Sequence, residues 1–145
     1  MGLFDNLLGK VSSDFTKYSG DAAFLSAAAS ASALVVNADG QIDDAEINAA
    51  LKGLSGNAKL AAAYKPSQIE EELNTALNDS KSRAGKIKLT RALEADATRP
   101  LEQRQDILLV AADVADLGGI GDKEKEALTE IGKLINIDGA KLLGL

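Results

Sequence analysis

The chain of 145 residues contains no cysteine, no histidine and no tryptophan. The absence of cysteine and histidine excludes disulfides, thiol catalysis, most zinc sites and the commonest general base. Carboxylates, amides, hydroxyls and backbone oxygens remain as metal ligands, and these prefer hard cations such as calcium and magnesium. The lack of cysteine also fits a reducing cytoplasm, which is where we expect the protein.

Aromatic residues make up only 3% of the chain and proline occurs twice, whereas 46% of the residues are apolar. The core must therefore be built from alanine, leucine, isoleucine and valine, which suits closely packed helices better than a sheet. The two prolines, Pro66 and Pro100, leave long segments free to form helix. We predict a single all-α domain over residues 1–145 with about seven to nine helices.

The chain has a formal net charge of −6 and a pI of about 4.7. A surface of this charge repels phosphate backbones, so no nucleic acid partner is expected, and cations or basic protein surfaces are favoured instead. The most apolar stretch, residues 22–36, contains three serines and is too short to cross a bilayer. No direct membrane span is expected.

Two segments each allow two interpretations. Residues 2–10 form a short amphipathic pattern, which fits a terminal helix over the core or a contact with a membrane or partner. Residues 81–91 carry a basic run in an acidic protein, which fits a solvated helical face or a contact with an acidic partner. The basic run consists of Lys81, Arg83, Lys86, Lys88 and Arg91.

Two stretches, 33–46 and 111–124, match each other at an offset of 78 residues. Each has an apolar helix, a glycine turn, an isoleucine and an acidic helix start, so that Gly40 corresponds to Gly118 and Ile42 to Ile120. The wider repeat covers about 21–56 and 99–136. This repeat predicts two pseudo-symmetric helix–loop–helix halves with their loops near each other.

The first loop has oxygen-bearing residues at the spacing of an EF-hand calcium loop. With Gly40 at the sixth position, the third, fifth, ninth and twelfth are Asn37, Asp39, Asp43 and Glu46. The first position is Val35 instead of the usual aspartate, so we expect weak binding of Ca²⁺ or Mg²⁺, with a Kd on the order of 10⁻⁴ M or higher. Asp43 and Glu46 equally fit a capping box at a helix start. Asp43, Asp44 and Glu46 also suit the positive end of the helix dipole, which leaves a purely structural role open.

The second loop has fewer ligands at the same spacing. Asp113 and Glu124 fall at its first and twelfth positions, and Asp116 and Asp122 are nearby, but Leu117 occupies the fifth. A complete site is therefore not expected from this loop alone. A site shared between both loops is the other interpretation.

The two loops resemble those of the tellurite-resistance TerB family. The resemblance lies in 38–46 and 118–131, with further similarity at the opening (4–6) and the C-terminus (137–145). It implies an all-helical fold of two pseudo-symmetric halves and a metal-binding face whose acids are Asp39, Asp43, Asp44, Glu46, Asp122 and Glu124. It also implies a role in bacterial tellurite, stress and phage resistance beside a membrane-embedded partner. The family usually has aspartate where this chain has Leu117, which weakens the second loop as a metal site.

These features predict a non-enzymatic interaction and metal-binding module, held at the inner membrane only through a partner protein. Paired carboxylates perform acid–base catalysis in some enzymes, but no nucleophile–base pair, phosphate loop or cofactor motif accompanies them here. The alternative is a structural or assembly protein, encoded by a phage or mobile element, that keeps the fold without a working metal site. The response to millimolar divalent cations distinguishes the two.

Overall fold

A computed structural model of the protein describes residues 15–38, 44–116 and 121–145. These residues form helices joined by turns, and no strands, which confirms the predicted all-α class. The α-helices are α1 (Ala22–Val36), α2 (Asp44–Ser55), α3 (Ala58–Ala61), α4 (Pro66–Asp79), α5 (Arg83–Ala95), α6 (Leu101–Asp116), α7 (Asp122–Leu134) and α8 (Gly139–Leu143). Two 3-10 turns, Phe15–Tyr18 and Asp96–Thr98, precede α1 and α6. The helix predicted over residues 2–10 lies outside the described part.

Side-chain oxygens cap the N-termini of α1, α5 and α8. The backbone N–H of Phe24 donates to Asp21 Oδ1 at 3.0 Å before α1, and that of Lys141 donates to Asp138 Oδ1 at 3.1 Å before α8. The N–H of Gly85 donates to Ser82 Oγ at 2.9 Å before α5. Ser82 is therefore the N-cap of α5.

The core centres on α1 and α6, which pack against each other. Both are buried over most of their length, and the many alanines of α1 let the neighbouring backbones approach closely. Helices α4, α5 and α7 also contact α1, while α2, α7 and α8 contact α6. The apolar face of α4 is buried, and it consists of Ile69, Leu73, Ala76 and Leu77.

A cluster of three aromatic rings covers the start of α1. Tyr18 and Phe24 stack with their ring centroids 3.5 Å apart and their planes 8° apart. Phe15 meets both rings edge-on, at 5.2 and 5.7 Å. Three of the five aromatic residues therefore lie together at one end of the core, where they join the Phe15–Tyr18 turn to α1.

Arg99 joins the beginning of the second repeat to that of the first. Its Nη1 and Nη2 atoms donate to Asp21 at 3.0 and 3.2 Å, and its Nε donates to Asp96 at 2.6 Å. Asp21 and Arg99 are 78 residues apart, the offset of the repeat. The hydrogen bond from Arg99 is the main cause that holds the pKa of Asp21 below its usual value. This pair fixes the start of α1 against the residues that lead into α6.

Candidate functional site

The first predicted metal loop, which we call the first corner, lies between α1 and α2. Of its five predicted ligands, Asn37 and Asp44 belong to the described part of the chain. Asp39, Asp43 and the side chain of Glu46 lie outside it. Asp44 is the exposed first residue of α2, where a carboxylate is favoured by the positive end of the helix dipole.

Asn37 ends α1 and turns its side chain into the protein. Its backbone N–H donates to the carbonyl of Ala33 at 3.0 Å, and only 7% of the residue is exposed. The amide nitrogen Nδ2 donates to the carbonyl of Ser80 at 2.7 Å, in the turn between α4 and α5. This bond sets the orientation of the amide group, because only the nitrogen can donate to a carbonyl oxygen.

The other amide atom, Asn37 Oδ1, is buried without a hydrogen-bond donor among the described residues. A buried polar atom left in this state costs about 1–3 kcal/mol, so such atoms generally have a water or an ion as partner. Asn37 is the residue at the third position of the predicted loop. This oxygen therefore fits the role of a ligand to a hard cation.

The second predicted loop, which we call the second corner, lies between α6 and α7. Two of its predicted ligands, Asp113 and Glu124, lie close to other parts of the fold. Asn57 Nδ2 donates to Asp113 Oδ2 at 2.7 Å, which ties α6 to the residue between α2 and α3. A Cβ atom added to Gly121 would lie 3.3 Å from Glu124 Oε2, so this carboxylate folds back towards the start of its own helix. Asp116 ends α6 half-buried, and Asp122 begins α7 exposed to solvent.

Over residues 15–38, 44–116 and 121–145, no group of three or more acidic side chains is arranged to hold a metal ion. The contacts of the predicted ligands are instead with Ser80 and Asn57, which sequence reasoning did not single out. Ser80 is 43 residues from Asn37 in sequence, and Asn57 is 56 residues from Asp113. No local motif signals such pairs, because they depend on how the helices pack.

A buried carboxylate away from both corners was also missed. Asp106 in α6 is only 1% exposed, and it accepts a short hydrogen bond from the hydroxyl of Tyr18. Lys17 Nζ lies 3.5 Å from the same carboxylate. Burial, followed by this hydrogen bond, raises the pKa of Tyr18, so the hydroxyl remains a donor at neutral pH. The arrangement compensates a buried charge and holds the aromatic cluster against α6.

Most of the chain matches the model of a known protein family. A family model described as tellurite resistance protein TerB matches residues 25–143. The chain belongs to the TerB family. No curated protein and no solved structure matches it. Both corners lie within the match to TerB, as does every helix from α2 to α8. None of the helices described here is long and apolar enough to cross a membrane.

Proposed function

We propose that this TerB-family chain is a non-enzymatic interaction module that binds Ca²⁺ or Mg²⁺ weakly at its first corner. The observation that carries the proposal is the buried Oδ1 of Asn37, which has no donor among the described residues. Asp39, Asp43 and Glu46 follow it at EF-hand spacing and would supply the carboxylates. We place the module in the cytoplasm, acting in tellurite and stress resistance beside a membrane-embedded partner.

The donor set matches hard cations. Calcium takes roughly six to eight oxygen ligands, and the loop offers about five or six when Glu46 is bidentate and a water assists. A bound cation would supply charge neutralisation to the acidic loop. Because the amide nitrogen of Asn37 is held by Ser80, ligation by its oxygen would connect the loop to the turn between α4 and α5.

The non-enzymatic assignment is supported by what several carboxylates already do. Asp21 is hydrogen-bonded to Arg99, Asp106 to Tyr18 and Asp113 to Asn57. Each bond joins different segments of the fold, and such a carboxylate stabilises the structure by satisfying a neighbouring donor. A proton-transfer role would require a carboxylate that faces a substrate.

A titration of the protein with CaCl₂ and MgCl₂, followed by amide NMR, tests this proposal. We expect shifts concentrated in residues 37–46 and at Ser80, with a Kd on the order of 10⁻⁴ M or higher. Asp39→Asn and Glu46→Gln should abolish the response. Glu130→Gln, on the exposed side of α7, is the matched control and should leave the response in place. An absence of shifts at millimolar cation would reject metal binding.

A structural or assembly protein that keeps the TerB fold is the second candidate. One observation favours it: Asp113 accepts a hydrogen bond from Asn57, so this predicted ligand serves the fold. Light scattering after size-exclusion chromatography tests it. A defined oligomer that forms without divalent cations, together with a flat NMR titration, would support this candidate. A monomer with a cation response would contradict it.

A further inference from the structure

Helix α5 presents a basic face to solvent. Arg83, Ile87 and Arg91 lie four residues apart along one side of the helix, and all three are exposed. Lys81 and Lys86 are exposed beside them. Ile87 is 47% exposed, which is unusual for a large apolar side chain in the described residues. We call Lys81, Arg83, Lys86, Ile87 and Arg91 the α5 basic face.

The cations of this face have no ion-pair partner in the part of the chain that the structure describes. Lys88 differs from them, because its Nζ lies 3.4 Å from Asp79 Oδ2. The helix is held to the core from its other side, by Gly85, Leu89 and Leu93. The basic face is therefore not needed for packing.

Two cations, Arg83 and Lys86, lie near the N-terminus of α5, where positive charge destabilises a helix. Arg83 is the first residue of α5 and Lys86 follows within its first turns, while no acidic residue occupies the first turn. Cations near a helix N-terminus are unfavourable, because that end carries the positive pole of the helix dipole. A sequence that served folding alone would favour carboxylates here, so the cations point to a partner.

The distribution of charge identifies the chemistry of that partner. Residues 81–91 contain five of the 16 basic residues and none of the 22 acidic ones, so they carry +5 while the rest carries −11. The 13 residues of α5 extend about 20 Å. Charges are screened beyond about 8 Å at physiological salt, so a short acidic ligand on this face is shielded from much of the acidic remainder. A membrane plane or a long nucleic acid extends beyond the face and meets the repulsion.

We propose that the α5 basic face binds a short acidic peptide segment of a partner protein. Carboxylates of the segment would pair with Arg83, Lys86 and Arg91, and an apolar residue between them would pack on Ile87. The proposal involves none of the predicted metal ligands. Its failure is therefore distinguishable from failure of the cation proposal.

Fluorescence anisotropy of the full chain with a labelled peptide tests this inference. The probe alternates glutamate and serine around a central leucine, and a glutamine-for-glutamate version is the neutral control. We expect saturable binding of the acidic peptide that weakens as salt rises, and no binding of the neutral one. The triple variant Arg83→Gln, Lys86→Gln, Arg91→Gln should bind about tenfold more weakly.

The matched control is Lys123→Gln, Lys125→Gln, Lys141→Gln, which removes three exposed cations elsewhere. It should keep affinity within about twofold of the parent chain. Ile87→Ser should also weaken binding, and circular dichroism should show all variants folded. Equal weakening in both triple variants, or an unaltered affinity after Ile87→Ser, would overturn the inference. So would an absence of peptide binding, or stronger binding to anionic vesicles or duplex DNA than to the peptide.

Discussion

At the scale of single residues, Arg99 brings together parts of the chain that are far apart in sequence. It donates to Asp21 before α1, to Asp96 in the preceding turn and to Gln103 in α6. Its side chain is only 16% exposed, so these bonds are partly shielded from solvent. Charge-assisted bonds of this kind are stronger than neutral ones.

Asp21→Asn tests the contribution of this pair. Asparagine keeps a cap for α1 but removes the charge, so we expect the free energy of unfolding at pH 7 to fall by about 1 kcal/mol. The pKa of Asp21 is lower in the folded state than its ordinary value of 3.8. Its stabilising effect is therefore present above about pH 4 and is lost as the pH falls through the folded pKa.

Urea denaturation over a series of pH values measures this effect. The difference between the parent and Asp21→Asn should shrink in acid. Asp138→Asn, at an N-cap that forms no ion pair among the described residues, is the control and should change stability by less than about 0.5 kcal/mol. A difference that stays constant from neutral to acidic pH would show that Asp21 acts only as a cap.

Tyr18 gives a second residue-scale prediction, because its hydroxyl serves a buried carboxylate. Tyr18→Phe removes a donor from Asp106, and we expect a loss of about 1–3 kcal/mol in the free energy of unfolding. Tyr64→Phe is the matched control, since the hydroxyl of Tyr64 donates at 2.6 Å to the neutral carbonyl of Asp21. It should lose about 0.5–1 kcal/mol in the same urea measurement. Equal losses would show that the hydrogen bond to Asp106 is no stronger than one to a backbone carbonyl.

At the scale of helices, the corner between α4 and α5 depends on close backbone contact. A Cβ atom at Gly85 would lie 1.8 Å from the carbonyl oxygen of Asp79, so no other side chain fits without moving the backbone. The same corner includes Ser80, which holds Asn37, and Ser82, which caps α5. The turn between α4 and α5 therefore positions both the side chain of Asn37 and the α5 basic face.

Gly85→Ala should destabilise the protein by about 3 kcal/mol or more, because the helices must separate to admit the methyl group. Ala84→Ser changes the exposed neighbour and should stay within about 0.5 kcal/mol of the parent. Thermal denaturation followed by circular dichroism compares the two. A small effect of Gly85→Ala would mean that α4 and α5 approach less closely than the structure shows.

The helices differ in how far they could be predicted from sequence. Ala22–Val36 and the amphipathic face of α4 follow from composition and helical spacing, which act locally. The Phe15–Tyr18 turn was missed, since a 3-10 turn of four residues is too short for a periodic signal. Asn37 was predicted as a ligand, but its anchoring by Ser80 depends on packing between segments 43 residues apart.

At the scale of the whole molecule, charge is divided unevenly. The net charge of −6 combines a basic segment at 81–91 with an acidic remainder, and the first corner lies in that remainder. Repulsion among carboxylates destabilises a compact acidic protein, and a bound cation relieves it. Any ligand that binds the folded state and not the unfolded chain raises stability by mass action. The cation proposal therefore has a consequence for global stability as well as for local NMR shifts.

Scanning calorimetry measures that consequence. At a Ca²⁺ concentration about ten times the Kd, the folded state should gain about 1.4 kcal/mol, which raises Tm by about 3–6 °C for a chain of this length. Sodium chloride at equal ionic strength separates binding from screening and should give a smaller increase. Glu46→Gln should lose the calcium-specific increase in Tm, whereas Glu130→Gln, on the exposed side of α7, should keep this increase. If calcium and sodium raise Tm equally, the acids of the first corner act through diffuse electrostatics and helix capping, and the ion-binding proposal fails.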